Sequence, residues 1–467
     1  MLGSRWPALA SRRWPEPMLN NGSLSFRQSE LKLSSYAGLE LLRSYLVRIQ
    51  LTKTVRSAVV RHLPGSDYGA VSMTLALLAL LFTGGRRLRH LDELAGDPVV
   101  ERFCAVKSMP TARSVTRWLT RIDARGVEAL RTMNKSIVGQ ALRSHSLPRL
   151  TVDVDGSVLS TGMQVEGARR GYNPHRRKVP SYYPISAYEA NSGVMLNVLN
   201  RAGNVHDGKA SVEFIADVLE QCRTSTDRTV IREMRMDGAF FRRDILELMD
   251  QENVEYAIKA PFHDWLGLKQ VILDRVWWYR VDDEVEYFQI KKRVAPWKRT
   301  EKFTIYRRRV NHKRSKPHQL DLFDPDDGHY EYSAIASNKS LAGPSLWKFM
   351  NGRGTHEKVY AELKSGFAFA SIPTQRYDAN SAWQLLNLIA FNLNRGMQSI
   401  TDGTVRAKKQ NRRTLQRFEH INTVRNKMIA KAGLLLNVSG VATLDIGANK
   451  RIYDRFFDCQ AKLLATA

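Results

Sequence analysis

The sequence predicts an α/β protein in which a helical N-terminal segment precedes a mixed sheet, and three observations predict it. Apolar residues recur at helical spacing from residue 31 to about 146, then switch to alternation after Pro148. The alternating segments are separated first by a turn and then by helices. At 467 residues the chain exceeds one ordinary core, so about two to four structural units are expected.

The first thirty residues are rich in Ser, Asn, Pro and Arg and are read as disordered (1–30). They lack the apolar stretch of a signal peptide. In 31–147, Leu39, Leu42 and Leu46 recur at spacings of three and four. The apolar run 71–82 ends at Gly84-Gly85. It falls short of the about 20 residues that cross a bilayer, so a buried helix is expected. Thr111 offers an N-cap, and 112–122 carries Val115, Leu119 and Ile122 on one face. Arg113, Arg117 and Arg121 stripe another face, as on the recognition helix of a helix-turn-helix; a solvated basic helix has the same pattern. A helical DNA-binding domain is therefore expected over 31–147.

After Pro148, Leu150, Val152 and Val154 alternate with Thr151, Asp153 and Asp155 in a strand ending at Gly156. Two more strands, 183–188 and 194–199, are joined at Asn191-Ser192-Gly193 by a hairpin-like turn. A helix around Val212, Ile215, Val218 and Leu219 follows, then a strand (229–236), a helix (242–251) and a strand (254–258). Three strands, helix, strand, helix, strand is the order of the ribonuclease H-like fold, assigned to 148–260 and 339–400. Between these lies a β-rich insertion, 261–338, whose strands are read at 275–290 and 302–310. Helices return at 346–363 and 382–397. The remainder, 401–467, is read as a basic C-terminal tail with short helices and an apolar run at 432–438.

Charge bounds the partners. Lys plus Arg number 72 against 46 for Asp plus Glu, a net charge of +26. Such a field attracts a polyanion, nucleic acid above all. Lys291, Lys292, Arg293, Arg307, Arg308 and Arg309 concentrate it in the insertion, and Arg406, Lys408, Lys409, Arg412, Arg413 and Arg417 in the tail. Cys104, Cys222 and Cys459 lie far apart, which argues against a disulfide framework and a zinc site and fits a reducing cytosol. A soluble, cytoplasmic, nucleoid-associated protein is expected.

Asp155 and Asp237 each close an apolar strand and each precede a glycine. Turns favour Asp-Gly for structural reasons, but the ends of strands in an open sheet are where sites form. Arg353, Glu357 and Lys364 share one helical face, as a surface salt-bridge ladder also does. His356-Glu357 lacks the second histidine of a zincin motif, and no phosphate-cradling GxxxxGK loop is present.

These pieces, in this order, resemble the DDE transposases of bacterial insertion sequences, in the branch with a Tyr-x2-Arg-x3-Glu-x6-Lys signature. Within that branch they look most like the insertion sequence 1380 family. Asp153-Val-Asp155-Gly-Ser157 is similar to its Asp-x-Asp-Ala-Thr, and Arg235-Met-Asp237-Gly-Ala-Phe240 to its Arg-x-Asp-Ser-Gly-Phe. The signature falls on Met350, Arg353, Glu357 and Lys364, with Met350 where the family has Tyr. The resemblance covers roughly 67–394. It implies an enzyme that binds terminal inverted repeats, cleaves the element ends and joins them to target DNA, as a homodimer on the double-stranded DNA. Asp155, Asp237 and Glu357 would be its catalytic metal ligands. Two carboxylates about 4 Å apart repel by roughly 4 kcal/mol at an effective dielectric of 20, so cations must hold them together. Oxygen ligands favour Mg²⁺ (or Mn²⁺), and a pair of such ions suits an in-line displacement. Asp153 competes with Asp155, and Glu362 with Glu357. Arg353 and Lys364 would hold DNA phosphates. Arg176 and Arg177, in the cationic loop 169–178, could grip DNA near the site. Trp277, Trp278 and Trp297 are candidates for stacking on a base, with core packing as the alternative. Two other readings stay open: a nuclease of the same fold that cuts without joining, and a non-catalytic DNA-binding regulator.

Overall fold

The computed structural model describes residues 29–465 apart from 146, 163, 172, 174–175, 177, 206–209, 228, 310–329, 403–413 and 448. All but the last two residues of the N-terminal segment read as disordered lie outside this range, as do the tail's Arg406, Lys408, Lys409, Arg412 and Arg413.

The N-terminal part is helical, with α1 (Leu39–Arg48), α2 (Gly69–Thr83), α3 (Ala112–Leu119) and α4 (Ala124–His145) as its main elements. In α2 every side chain from Leu75 to Phe82 is buried. It ends at Gly84, whose φ of 98° is open to a residue without a Cβ. Among the described residues no single helix is long and apolar enough to cross a membrane. Thr111 caps α3, accepting from Ser114 N at 3.2 Å. The helix stops at Leu119, short of the expected Ile122, because Asp123 already accepts from Gly126 N at the start of α4. Arg121 therefore lies beyond the helix, directed at Gly65 O, and does not extend the stripe of Arg113 and Arg117.

The sheet follows the alternation closely. Its first five strands are β1 (Arg149–Gly156), β2 (Ile185–Glu189), β3 (Val194–Leu199), β4 (Ile231–Met236) and β5 (Glu255–Ala260), with α5 (Ser211–Ser225) and α6 (Arg243–Gln251) as crossovers. β1 pairs antiparallel with β2 and parallel with β4, and β4 pairs parallel with β5. The lateral order β3-β2-β1-β4-β5 is the ribonuclease H-like arrangement. The insertion supplies β6 (Tyr279–Arg280), β7 (Val285–Val294), β8 (Arg299–Arg309) and β9 (Tyr330–Ser337). These do not stand apart. β9 pairs antiparallel with β5, so one nine-stranded sheet runs β3-β2-β1-β4-β5-β9-β8-β7-β6. Pairing there covers an edge that β5 would otherwise leave open.

The helix expected over 346–363 is two helices, α7 (Gly343–Asn351) and α8 (Gly354–Gly366), broken at Gly352-Arg353. The long helix α9 (Tyr377–Thr401) lies behind them, nearly all buried. The tail departs most from expectation. It forms a hairpin of β10 (Gly433–Val438) and β11 (Val441–Ile446), joined by a Ser439-Gly440 turn at φ 52° and 83°, and the helix α10 (Lys450–Leu464). β10 pairs with the short strand Leu33–Ser34, tying the tail to the N-terminal helices. One apolar cluster holds Leu42 of α1, Leu77 and Leu81 of α2, Leu388 and Phe391 of α9, and Phe456 of α10. The buried residues of 31–147 thus share one cluster with those of α9 and α10.

Candidate active site

Parallel pairing of β1 and β4 sets Val154 beside Met236, so Asp155 and Asp237 emerge at the same rim of the sheet. Each carboxylate turns back onto the next backbone amide: Asp155 Oδ1 accepts from Gly156 N at 3.0 Å, Asp237 Oδ1 from Gly238 N at 2.8 Å. Glycine is required at 156, where a Cβ would lie 2.6 Å from the Tyr183 ring.

Two further acids of the sequence are committed elsewhere. Asp153 is fully buried in a two-pronged pair with Arg235, Nε to Oδ1 at 2.5 Å and Nη2 to Oδ2 at 2.7 Å. Arg235 Nη1 also donates to Phe349 O at 2.8 Å, which fastens the rim to the end of α7. Glu362 faces away from the rim, paired with Arg395 Nη2 at 2.5 Å and accepting from Ile421 N at 2.8 Å.

Arg353, at the break before α8, reaches into the rim. Its Nη2 lies 2.9 Å from Asp155 Oδ1 and its Nη1 3.7 Å from Asp237 Oδ2, with the side chain only 12% exposed. The sequence reading set Arg353 on a DNA phosphate; here its guanidinium lies against the two aspartates. Glu357, one helical turn on, is exposed yet near enough for its charge to act on Asp155. Burial pushes the Asp155 carboxyl up to about 6; Arg353 opposes that rise, while Asp237 and then Glu357 add to it. Lys364 Nζ donates to Ser157 Oγ at 2.6 Å, and its pKa is lowered by burial against the pull of Asp155.

Sequence reasoning missed two side chains here. Lys259 of β5 stands 3.9 Å from Asp237 Oδ1; a lysine inside an apolar strand was the signal. His356 is fully buried between the rings of Tyr188 and Tyr360, at centroid distances of 5.4 and 5.0 Å, with Nε2 3.1 Å from Ser186 Oγ. Burial, then Arg353 and Arg235, push its pKa down to about 3, so it is neutral. Met350, in the signature's tyrosine position, packs with Leu346 and Phe349, and lines a cavity of about 220 Å³ with Lys259, Tyr306, Trp347 and Asn351.

The other candidates sit on other elements. Arg113 and Arg117 are exposed on α3, and Arg176 is exposed, while Arg177 lies outside the described residues. Trp297 is half-buried against Phe241 and Trp265, at 4.9 and 5.2 Å. Trp278 packs on Phe288 at 4.6 Å, under the Arg307 guanidinium. Trp277, by contrast, is 78% exposed.

Carboxylate oxygens alone form a donor set suited to a hard divalent cation. Among the described residues, however, no three His, Cys, Asp or Glu side chains stand grouped to hold a metal ion. Arg353 bridges the two aspartates, and Glu357 remains exposed beside them.

The family model described as transposase DDE domain group 1 matches residues 17–459. No curated protein matches the chain. Among solved structures, it is similar to a piggyBac transposase synaptic complex with hairpin DNA, at 10% identity and a TM-score of 0.45, over 82% of this chain and 78% of that one.

Proposed function

Because the chain belongs to the transposase DDE domain group 1 family, we propose that it is the transposase of a bacterial insertion sequence of the 1380 type. It binds terminal inverted repeats, cleaves the DNA at the element ends and joins the ends to target DNA. The observation that supports this assignment is the emergence of Asp155 and Asp237 at one rim, from strands far apart in the chain, with Glu357 near enough for its charge to act on Asp155.

These three acids would hold Mg²⁺ or Mn²⁺, in the number the resemblance implies. When bound, such ions neutralise charge on the reacting phosphate and lower the pKa of an attacking hydroxyl. The protein's own groups do the rest. Asp153 and Arg235 fix the rim on which Asp155 and Asp237 stand. Lys364, already fixed by Ser157, is set to hold a phosphate of the DNA end. Arg353 is its partner in that task once it leaves the aspartates. Arg113 and Arg117 on α3, with Arg176 and Arg177 of the cationic segment 169–178, supply contacts to the duplex backbone. Trp297, half-buried, is the candidate for stacking on a base, and the helical segment 31–147 is the DNA-binding part. Both element ends react together, so two copies of the chain assemble on DNA.

The test is Asp237→Asn with a duplex taken from the DNA flanking the coding region. Mg²⁺-dependent cleavage is expected to disappear while binding, followed by gel shift, survives. Cleavage at the wild-type rate would refute the site. A strand-transfer assay with precleaved ends then separates joining from cutting alone: absence of joined product assigns the chain to the nuclease reading.

A further inference from the structure

We propose that Arg353 is an internal counter-ion: in the resting protein it occupies the place between Asp155 and Asp237 that a divalent cation takes later, and the cation is held only when it displaces this side chain. The inference rests on the three-carboxylate reading of the site and adds to it a control on metal entry.

Two arginines in the same rim make the case by contrast. Arg235 meets both oxygens of Asp153, at 2.5 and 2.7 Å, and gives a third donor to Phe349 O. A guanidinium with its donors so used is structural. Arg353 is almost as enclosed, yet spans two carboxylates at 2.9 and 3.7 Å, and its Nε and Nη2 are buried without a hydrogen-bond partner of good geometry. Its hold on the aspartates is one of charge, and its donor capacity is unspent. Buried polar groups in that condition call for an explanation, and an anionic ligand that takes them up supplies one. The backbone allows the exchange. Arg353 sits in the break between α7 and α8, flanked by Gly352 and Gly354, and a Cβ at 354 would meet nothing within 4 Å.

A single side chain then has two stations. At the first it neutralises the aspartates and keeps the rim from assembling. At the second it meets a DNA phosphate, and the aspartates are free for the ion. Glu357 rides on the helix that Arg353 caps, so a shift of α8 that withdraws the arginine also moves the third acid. Metal and DNA should therefore bind with mutual assistance. Lys259 is the natural control, being a second cation near Asp237, but at 3.9 Å and spanning no pair.

The experiment measures Mn²⁺ binding to the full-length protein without DNA, from the electron paramagnetic resonance signal of free Mn²⁺. Wild type, R353Q, R353K, K259Q and D155N are compared. R353Q should bind Mn²⁺ about tenfold or more tightly than wild type, with K259Q within about twofold of wild type. R353K, whose point charge cannot span both carboxylates, should fall between, and carries the test if R353Q does not fold. No gain in either Arg353 variant would overturn the proposal, as would an equal gain in K259Q, which would reduce the effect to net charge. If D155N binds as wild type does, the three-carboxylate reading itself fails. If D155N loses binding and the Arg353 variants gain nothing, only the counter-ion role falls.

Discussion

Asp155 shows how a buried carboxylate works against the fold that carries it. Its pKa rises from the ordinary 3.8 to about 6, chiefly because burial strips water from the charged form. Between those two values the folded state keeps a proton that the unfolded chain has lost. Stability therefore falls as pH rises through that window, by about 3 kcal/mol once both forms are ionised. Asp155→Asn should accordingly raise the unfolding temperature of the metal-free protein at about pH 7, with the gain vanishing near about pH 4. Melts in chelator at both values check this, and an unchanged or lower midpoint at neutral pH would refute it. His356 has the opposite sign. Its pKa is held down to about 3, so the stability present above the ordinary 6.5 is lost as pH falls below it. His356→Phe keeps the ring between Tyr188 and Tyr360 but cannot titrate. Relative to wild type it should gain stability on going from about pH 7.5 to about pH 5, measured by denaturant unfolding. A constant difference would show that the imidazole titrates in the fold as it does in the unfolded chain.

At the scale of elements, α8 starts from Arg353 as its N-cap and carries Glu357 and Lys364, and its far end is fixed by a residue remote in sequence. Arg425 donates through Nε to Phe82 O at 2.9 Å and through Nη2 to Leu81 O at 2.5 Å and Gly366 O at 2.6 Å. One guanidinium thus satisfies final carbonyls of both α2 and α8, which helices leave without partners. Arg425→Met should cost about 3 kcal/mol or more, since several buried acceptors lose their donor together. Urea unfolding measures it, and a loss under about 1 kcal/mol would mean that water or another donor replaces Arg425. None of this was legible in the sequence, because it depends on which distant segments meet. The strands were legible for the reverse reason. Leu150, Val152 and Val154 alternate in the very elements that end in Asp155, and two Asp-Gly steps mark the rim. Asp155 was preferred to Asp153 as the residue nearer the strand end, since both share a strand face; what the sequence did not show is the buried pairing of Asp153 with Arg235. The break between α7 and α8 lay hidden under a continuous apolar period, with Gly352 and Gly354 as its signal. In α10 the period was present in Ile452, Phe456, Cys459 and Leu463, but charged neighbours made it read as tail.

The whole molecule is organised around cores that chain order does not reveal. Residues 31–147 have the helical pattern of a separate DNA-binding domain, yet their buried face is completed by α9 and α10. Asn134 of α4 donates to Leu196 O of β3 and accepts from Asn392 of α9, both at 2.8 Å, so polar contacts cross the same boundary. Cut from the rest, the helical segment would expose Leu77, Leu81 and Phe82, each fully buried in the intact chain. A fragment of residues 29–147 should therefore lack a cooperative unfolding transition in urea, monitored by circular dichroism, while the full chain has one. A cooperative, monomeric fragment would show instead that the helices form an independent domain. The outcome bears on how DNA is handled. If the helices fold only with α9, then Arg113 and Arg117 on α3 stand at a fixed position relative to Asp155 and Asp237. Binding of the duplex would then set the scissile phosphate by geometry, with no search by a tethered domain.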